Sequence, residues 1–561
     1  MTDPPATSTT KTITLTGGKA GHTYTLYQVF TGKVDGTQLT NVQWGNGVTD
    51  TFKGTKSTAA AYAKEVADAN DARATAQALI TAGALTNGTA KTLTADGNVV
   101  FDNLAEGYYV VVDTNGNTTP KEGDYSSAII VQVVKDVNMA LKGSAPTSEK
   151  KVKDINDSLA VTEGTNPTGW QDSADYDIGD DVPFQLKATT ADNVAAYKKY
   201  HITFQDKQSA GLDAPASFTI TVPGTTETMS LAYDATAAVT KEVTFGTGEN
   251  AVTVVVKAEK ATPAEGRTFA IKVSFENKVT GALLPADLSS KPILVEYTSK
   301  LNNSAKLGST GNPNEMYITY SSNPESADDS EEGKTPDDKV IVFTYNLKVD
   351  KTDEDGNALK GAGFTLYKKN GAGTYVAVGS EVKGTDLTTF TWTGLDDGDY
   401  KLEETTVPTG YNKAQDVTFT VEATHDPEST DPKLTKLEVK NVTPTTATIS
   451  ADKDATGEAT ASDSYTQATE YDANATYYTE SEGTYNQATV ADADAFAAGT
   501  FYTKTTETNM SANLSTTIIN KSGATLPETG GIGTTIFYII GAILVIGAGV
   551  VLVTRRRMSA N

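Results

Sequence analysis

No cysteine occurs in the 561 residues. Disulfides, thiol nucleophiles and zinc–thiolate sites are therefore excluded, and any covalent reinforcement has to come from other side chains. Histidine is nearly as scarce. His22, His201 and His425 lie far apart in the sequence, which offers no metal-ligand spacing, so no metal and no cofactor are expected. Positive charge is in deficit: 46 Lys and Arg face 71 Asp and Glu, for a net charge of −25. That balance speaks against nucleic-acid binding and for a soluble, self-repelling exterior. No nucleophile–base constellation and no cofactor loop stands out, so an enzyme is not expected. Long apolar runs are missing too, except for one near the C-terminus.

That run, residues 532–553, carries no charge and is followed by Arg555-Arg556-Arg557. At 1.5 Å rise per residue a helix of this length covers the ~30 Å hydrocarbon core of a bilayer. The arginines resist translocation, which keeps the tail cytoplasmic and puts the preceding chain outside. Met1-Thr2-Asp3-Pro4-Pro5 shows no basic-plus-apolar leader although this topology demands export, so a trimmed start is expected. Just ahead of the run stands Leu526-Pro527-Glu528-Thr529-Gly530. Pentapeptide, apolar span and basic tail in that order resemble the cell-wall sorting signal of Gram-positive surface proteins. The resemblance implies that a sortase cuts between Thr529 and Gly530 and passes the Thr529 acyl group to an amine, so that the membrane anchor is transient.

The length leaves room for three or four domains, each with its own core. Residues 11–145 read as the first, with strand alternation at 12–16 and 24–30, an Ala-rich helix within 57–85, and further strands at 99–101, 108–112 and 128–134. The opening block through Asn41-Val42-Gln43-Trp44-Gly45 is similar to the N-terminal domain of backbone pilins. Residues 146–324 show strands at 182–186, 218–222, 252–256 and 269–275 between Gly, Asp and Asn clusters, the pattern of a β-sandwich. The acidic, Pro- and Ser-rich stretch 323–338 reads as an exposed joint. A third domain, 339–521, carries strands at 340–349, 363–368, 388–392, 400–404, 417–421 and 515–520. Within it, 442–510 is rich in Thr and Ala and holds a two-copy repeat: 465–469 returns as 485–489, and 477–481 as 501–505. Two copies are too few for a solenoid. The stretch reads as an insertion between the last two strands, either a small β-module or a spacer. Residues 526–561 complete the sorting signal.

In the third domain Tyr400, Leu402 and Glu404 alternate onto one face ahead of a Pro408-Thr-Gly410 turn. Glu404 is therefore expected to point inward among apolar residues, where a carboxylate must pair or take up a proton. The string matches the E-box of Gram-positive pilins, YxLxExxxPxGY, at Tyr400, Leu402, Glu404, Pro408, Gly410 and Tyr411. That resemblance implies that Glu404 catalyses an amide bond between Lys351 on the first strand and an Asn on the last. Asn520 is preferred for this role and Asn441 is the competitor. A calcium loop at Asp353-Glu-Asp355-Gly356 is rejected, because the first ligand position is Lys351 and no Glu closes the loop. The middle domain looks like the second isopeptide class of pilins, whose catalyst is Asp. By that resemblance Lys150, Asp206 and Asn314 form the bond, with Lys153 and Asn323 as second choices.

The sequence thus predicts an all-β chain of tandem Ig-like sandwiches, CnaA- and CnaB-type by resemblance, with a short helix in the first domain and a C-terminal transmembrane helix. The resemblance to Gram-positive backbone (major) pilins implies the shaft subunit of a sortase-assembled pilus. It would be polymerised between Thr529 of one copy and a lysine of the next. The family carries that lysine in a YPK(N) motif, whose register falls on Lys142; here Ala140-Leu141 replace Tyr-Pro, Gly143 replaces Asn, and Lys135 is the fallback. The partners implied are pilus-specific and housekeeping sortases, further copies of the chain, and peptidoglycan. The alternative is an ancillary pilin or monomeric wall-anchored adhesin that binds host matrix or glycan through its first domain or its repeat insertion.

Overall fold

Alternating burial along nearly every strand organises this chain: Lys11–Gly18, Asp181–Thr189, Val252–Lys260 and Gly398–Thr406 each bury every second residue over most of their length, as expected for sheets with one face on a core. The computed structural model describes residues 10–558 apart from 37, 70–71, 118, 127–128, 134, 142–143, 226–227, 261–265, 325–330, 452–459, 469–470, 473–474, 482–483, 510–512 and 524–531.

The first unit packs two sheets. One places Lys11–Gly18 between Gly97–Leu104 and Val137–Ala140; the other runs Gln38–Trp44, His22–Asp35, Gly107–Asn115 and Ile129–Val133. Ile13, Leu15, Tyr24, Leu26, Val99 and Phe101 fill the space between them. Within the stretch 57–85 expected to be helical, Ala59–Ala69 and Ala72–Thr81 are α-helical. Tyr62, Ala76 and Leu79 of this pair join a second core with Val29, Phe30 and Val110.

In the middle unit, Thr147–Val152, Asp181–Thr189, Pro292–Lys300, Ser217–Thr221 and Thr228–Ala232 form one sheet. It faces a larger sheet built on Asn312–Ser321, Lys199–Gln208, Phe269–Asn277, Val252–Lys260 and Val239–Phe245. The strand expected at 340–349 is divided at Thr344. Asp338–Phe343 pairs with Asn312–Ser321 in the middle sheet, and Tyr345–Asp353 begins the last unit. The joint expected at 323–338 also contributes structure, since Glu332–Lys334 pairs with Asn312–Ser321 on one side and with Lys121–Glu122 of the first unit on the other. In both cases the apolar or polar character of the segment was legible, while the choice of partner strand was set by the sheet edge left open.

The last unit pairs a sheet of Thr389–Leu395, Tyr345–Asp353, Asn513–Asn520 and Ile449–Ala451 with one of Tyr375–Ala377, Gly363–Lys369, Gly398–Thr406, Val417–His425 and Leu434–Thr443. Ile449–Ala451 pairs with Asn513–Asn520, so the insertion leaves and rejoins the domain at neighbouring strands. It is a β-module: Thr460–Gln467, Tyr502–Asn509, Tyr477–Ser481 and Thr484–Ala488 lie side by side in that order. The two sequence repeats are related by a local two-fold. Tyr478 stands directly opposite its repeat equivalent Tyr502, and the rings of the equivalent Tyr465 and Tyr485 stack at 4.0 Å. The helix Ile532–Met558 follows, with Ile539, Leu544, Val545 and Leu552 exposed along it.

His22 locks the first unit from inside. Its Nδ1 lies 2.7 Å from Asp113 Oδ1 and its Nε2 2.6 Å from Asp124 Oδ1, all three side chains being buried. Burial alone would lower the imidazole pKa, but the hydrogen bonds and charges of the two aspartates outweigh it and push it up to about 9. Because the folded value lies above the unfolded one, this stabilisation is fully present below about pH 6.5 and is lost as pH rises through about 9. It amounts to about 3 kcal/mol at most. Melting of the chain between pH 6 and 10 is expected to show the first unit losing several degrees across this window. His22→Gln should start lower and stay flat over the same range.

Candidate crosslink sites

Two clusters of lysine, acid and asparagine are buried in the cores of the middle and last units. In the middle unit, Lys150 and Val152 are the inward residues of the edge strand Thr147–Val152. Asp206 lies on the facing sheet opposite Met316, and Asn314 lies opposite Gln208, so Asp206 and Asn314 are diagonal neighbours on one face. Lys150 reaches across the sandwich to meet them. Its Nζ donates to Asp206 Oδ2 and, at 3.1 Å, to the Tyr297 hydroxyl. That hydroxyl donates to Asp206 Oδ2 at 3.2 Å and accepts from Asn314 Nδ2 at 2.9 Å. Lys150, Asp206 and Asn314 are all 0% exposed.

Burial is the main cause of both titration shifts here. It pushes the Lys150 ammonium down and the Asp206 carboxyl up, so both move toward the neutral amine and the neutral acid. Phe184 and Tyr297, whose rings stack at 5.4 Å, both face the Lys150 Nζ. Tyr297 is the member that sequence reasoning missed. It sits in an ordinary alternating strand, Pro292–Lys300, and only the sheet-on-sheet packing brings its hydroxyl to the other three groups. The second choices lie elsewhere: Lys153 covers the Trp170 ring at 4.7 Å, and Asn323 donates to Glu331 Oε1 at 2.9 Å.

In the last unit the first strand, Tyr345–Asp353, runs parallel to Asn513–Asn520, with Lys351 opposite Ile518 and Asp353 opposite Asn520. Glu404 comes from the facing sheet, where it pairs with Phe364. Asn520 Nδ2 donates to both Glu404 oxygens, at 2.8 and 3.1 Å, and the amide of Ala414 donates to Oε2 at 2.7 Å. Lys351 Nζ donates to the carbonyls of Thr352 and Ile518 at 2.9 and 3.1 Å. Burial brings its pKa down to about 8, against the opposing charges of Glu404 and Asp353. Lys351, Glu404 and Asn520 are 1–2% exposed, whereas Asn441 is exposed and donates to Thr420 Oγ1.

The E-box positions this cluster. Tyr400 and Leu402 are buried beside Glu404, and the Tyr400 hydroxyl donates to the Asp396 carbonyl at 2.7 Å. Pro408 is buried and Tyr411 half-buried. Gly410 has φ of 87°, a left-handed conformation that favours glycine. The turn it permits returns the chain toward the end of the last strand: Tyr411 bridges Ser522, and Asn412 N donates to the Lys521 carbonyl at 3.1 Å. Asp353 turns its carboxylate to the amides of Asp355 and Asn357, which closes a tight turn there.

Lys142 and the pentapeptide Leu526, Pro527, Glu528, Thr529 and Gly530 lie outside the described residues. Lys135 is exposed between Ile129–Val133 and Val137–Ala140.

Residues 345–436 match the family of the SpaA prealbumin-like fold domain. Residues 518–559 match the LPXTG cell wall anchor motif. Among curated proteins the chain is similar to the trypsin-resistant surface T6 protein of Streptococcus pyogenes serotype M6, 28% identical over 286 residues that make up 47% of this chain and 48% of that protein. The alignment thus spans about half the length of that relative. Among solved structures, the T6 backbone pilin of serotype M6 Streptococcus pyogenes is 17% identical, with 92% of this chain and 99% of that chain covered and a TM-score of 0.46. The major pilin SpaA of Corynebacterium diphtheriae is 16% identical, with 75% and 98% covered and a TM-score of 0.36.

Tyr297→Phe removes one oxygen and leaves the ring in place. The buried Asp206 carboxyl then loses the hydroxyl that donates to it, which should cost about 1–3 kcal/mol. Thermal unfolding is expected to shift down accordingly, with the circular dichroism of the folded state unchanged.

Proposed function

We propose that this chain is the shaft subunit of a sortase-assembled cell-surface pilus, stapled internally by two amide bonds and joined head to tail to further copies. The observation that carries the reading is the recurrence of one chemical set, a buried lysine, acid and asparagine, in two successive units of a chain that ends in a wall-anchor motif.

In each unit the free amine of the lysine attacks the side-chain carbonyl carbon of the asparagine. The new bond joins Lys Nζ to Asn Cγ, the Cγ–Nδ2 bond breaks, and the amide nitrogen leaves as ammonia with the proton the amine gives up. The acid relays that proton. Asp206 contacts the attacking amine, and Glu404 contacts the departing nitrogen, so the two units hold opposite ends of one transfer. Each set acts once, because its reactants become its product. In the middle unit the bond ties one sheet to the other, and in the last unit it ties the first strand to the last.

These bonds carry tension past the hydrogen-bonded ladders, which suits a shaft. At its end a sortase would cleave between Thr529 and Gly530 and transfer the Thr529 acyl group to Lys142 of another copy, or to peptidoglycan when growth stops.

Intact mass of the wild-type chain is expected to fall short of the sequence mass by two ammonia molecules, with tryptic peptides joining Lys150 to Asn314 and Lys351 to Asn520. Asp206→Ala and Glu404→Ala should each restore one. A full theoretical mass in the wild type would remove the reading. Polymerisation has its own check. Lys142→Ala, expressed with the cognate sortase, should collapse the high-mass ladder of wall extracts to the single-subunit species, whereas Lys135→Ala should leave the ladder intact.

A further inference from the structure

In the middle unit, one end of the proton transfer has no acid beside it. Asp206 touches the attacking amine, but its contacts stop short of the asparagine: Asp206 Oδ2 is shared by Lys150 and Tyr297, while Asp206 Oδ1 and Asn314 Oδ1 have no hydrogen-bond partner among the described residues. The last unit has no such gap, because Glu404 accepts from the Asn520 amide directly, at 2.8 and 3.1 Å.

The Tyr297 hydroxyl stands in that gap. It accepts from Lys150 Nζ at 3.1 Å and from Asn314 Nδ2 at 2.9 Å, and it donates to Asp206 Oδ2 at 3.2 Å. A phenol offers one proton and two lone pairs, so its whole capacity is spent on the nucleophile, the departing nitrogen and the acid. All three distances are within the reach of direct proton transfer. The ring is fixed in this position: Phe184 stacks on it at 5.4 Å, and Phe218 and Phe269 meet it edge to face at 5.8 and 5.3 Å. Burial, and after it the charge of Asp206, pushes the hydroxyl well above its ordinary range. It therefore keeps its proton until a strong base forms next to it.

We propose that Tyr297 is a catalytic residue of the middle crosslink, whose hydroxyl carries the proton from Asp206 to the departing nitrogen of Asn314. This role rests on the crosslink reading of Lys150, Asp206 and Asn314. Attack of the neutral amine on Asn314 Cγ ends the conjugation of Nδ2 with the carbonyl and leaves that nitrogen with a basic lone pair. Tyr297 gives Nδ2 its proton and takes one from the Asp206 carboxyl, which is replenished from Lys150 Nζ. The Cγ–Nδ2 bond breaks, ammonia leaves with the hydrogen that Nζ has lost, and Tyr297 and Asp206 end as they began. Asp206 and Glu404 thus stand at opposite ends of the same transfer because only the middle unit has a hydroxyl to bridge them.

The test follows bond formation by intact mass and tryptic mapping in the full-length chain, synthesised in a cell-free reaction with detergent and sampled over time. The bond between Lys351 and Asn520 serves as a clock within each molecule. In Tyr297→Phe it should close at the wild-type rate, while the bond between Lys150 and Asn314 should close about 100-fold more slowly or worse, the usual share of a general acid–base group. The melting shift expected from the lost hydrogen bond applies once that bond has closed. A difluorotyrosine in place of Tyr297 keeps the ring and its hydrogen bonds, makes the hydroxyl more acidic, and covers the case in which the Phe variant folds poorly. It should speed the middle bond and leave the last one unchanged, a response that a hydroxyl serving only to hold its neighbours would not give. Closure of the middle bond at the wild-type rate in Tyr297→Phe, or a rate indifferent to fluorination, overturns this role and leaves the crosslink reading intact. A wild type that never loses the middle unit's ammonia removes both.

Discussion

Desolvation of lysine is the constraint on which the rest of this structure depends. An ammonium carried into an apolar core without water is costly unless it pairs or loses its proton. Lys150 and Lys351 are both held in that situation, each with an acid in the facing or neighbouring strand and an asparagine beside it. Around Lys150 the wall is aromatic, whereas Lys351 turns its Nζ to the backbone carbonyls of Thr352 and Ile518. The same packing that makes a charged lysine costly favours its neutral amine, the form that the proposed bond requires.

The two clusters solve this problem with opposite geometry. In the middle unit the lysine crosses from one sheet to the other, and the acid and asparagine share a face. In the last unit the lysine and asparagine are on adjacent parallel strands, and the acid crosses. The first unit holds no comparable set among its described residues; a charged imidazole between two aspartates is its buried polar fastening.

The units are continuous with one another. Asp338–Phe343 completes a sheet of the middle unit and passes through Thr344 directly into the first strand of the last unit, which carries Lys351. Glu332–Lys334 reaches back to the first unit. Force applied along such a chain is handed from sheet to sheet through extended backbone. The repeat insertion stands aside from that line, entering and leaving between two neighbouring strands.

Much was legible without coordinates. The apolar span with its arginines, the strand alternation and the inward parity of Glu404 follow from local periodicity, and a three-residue register argument sufficed to put Tyr400, Leu402 and Glu404 on one face. The fourth member Tyr297 and the division of 340–349 between two sheets were not legible. Each depends on which strands become neighbours, and that is decided by core packing and open sheet edges across hundreds of residues. Composition and periodicity determined that this is a cysteine-free, acidic chain of β-sandwiches ending in an apolar helix. Tertiary structure alone decided which side chains gather around each buried lysine, Tyr297 among them, because proximity between distant strands is a property of the folded core and leaves no trace in local order.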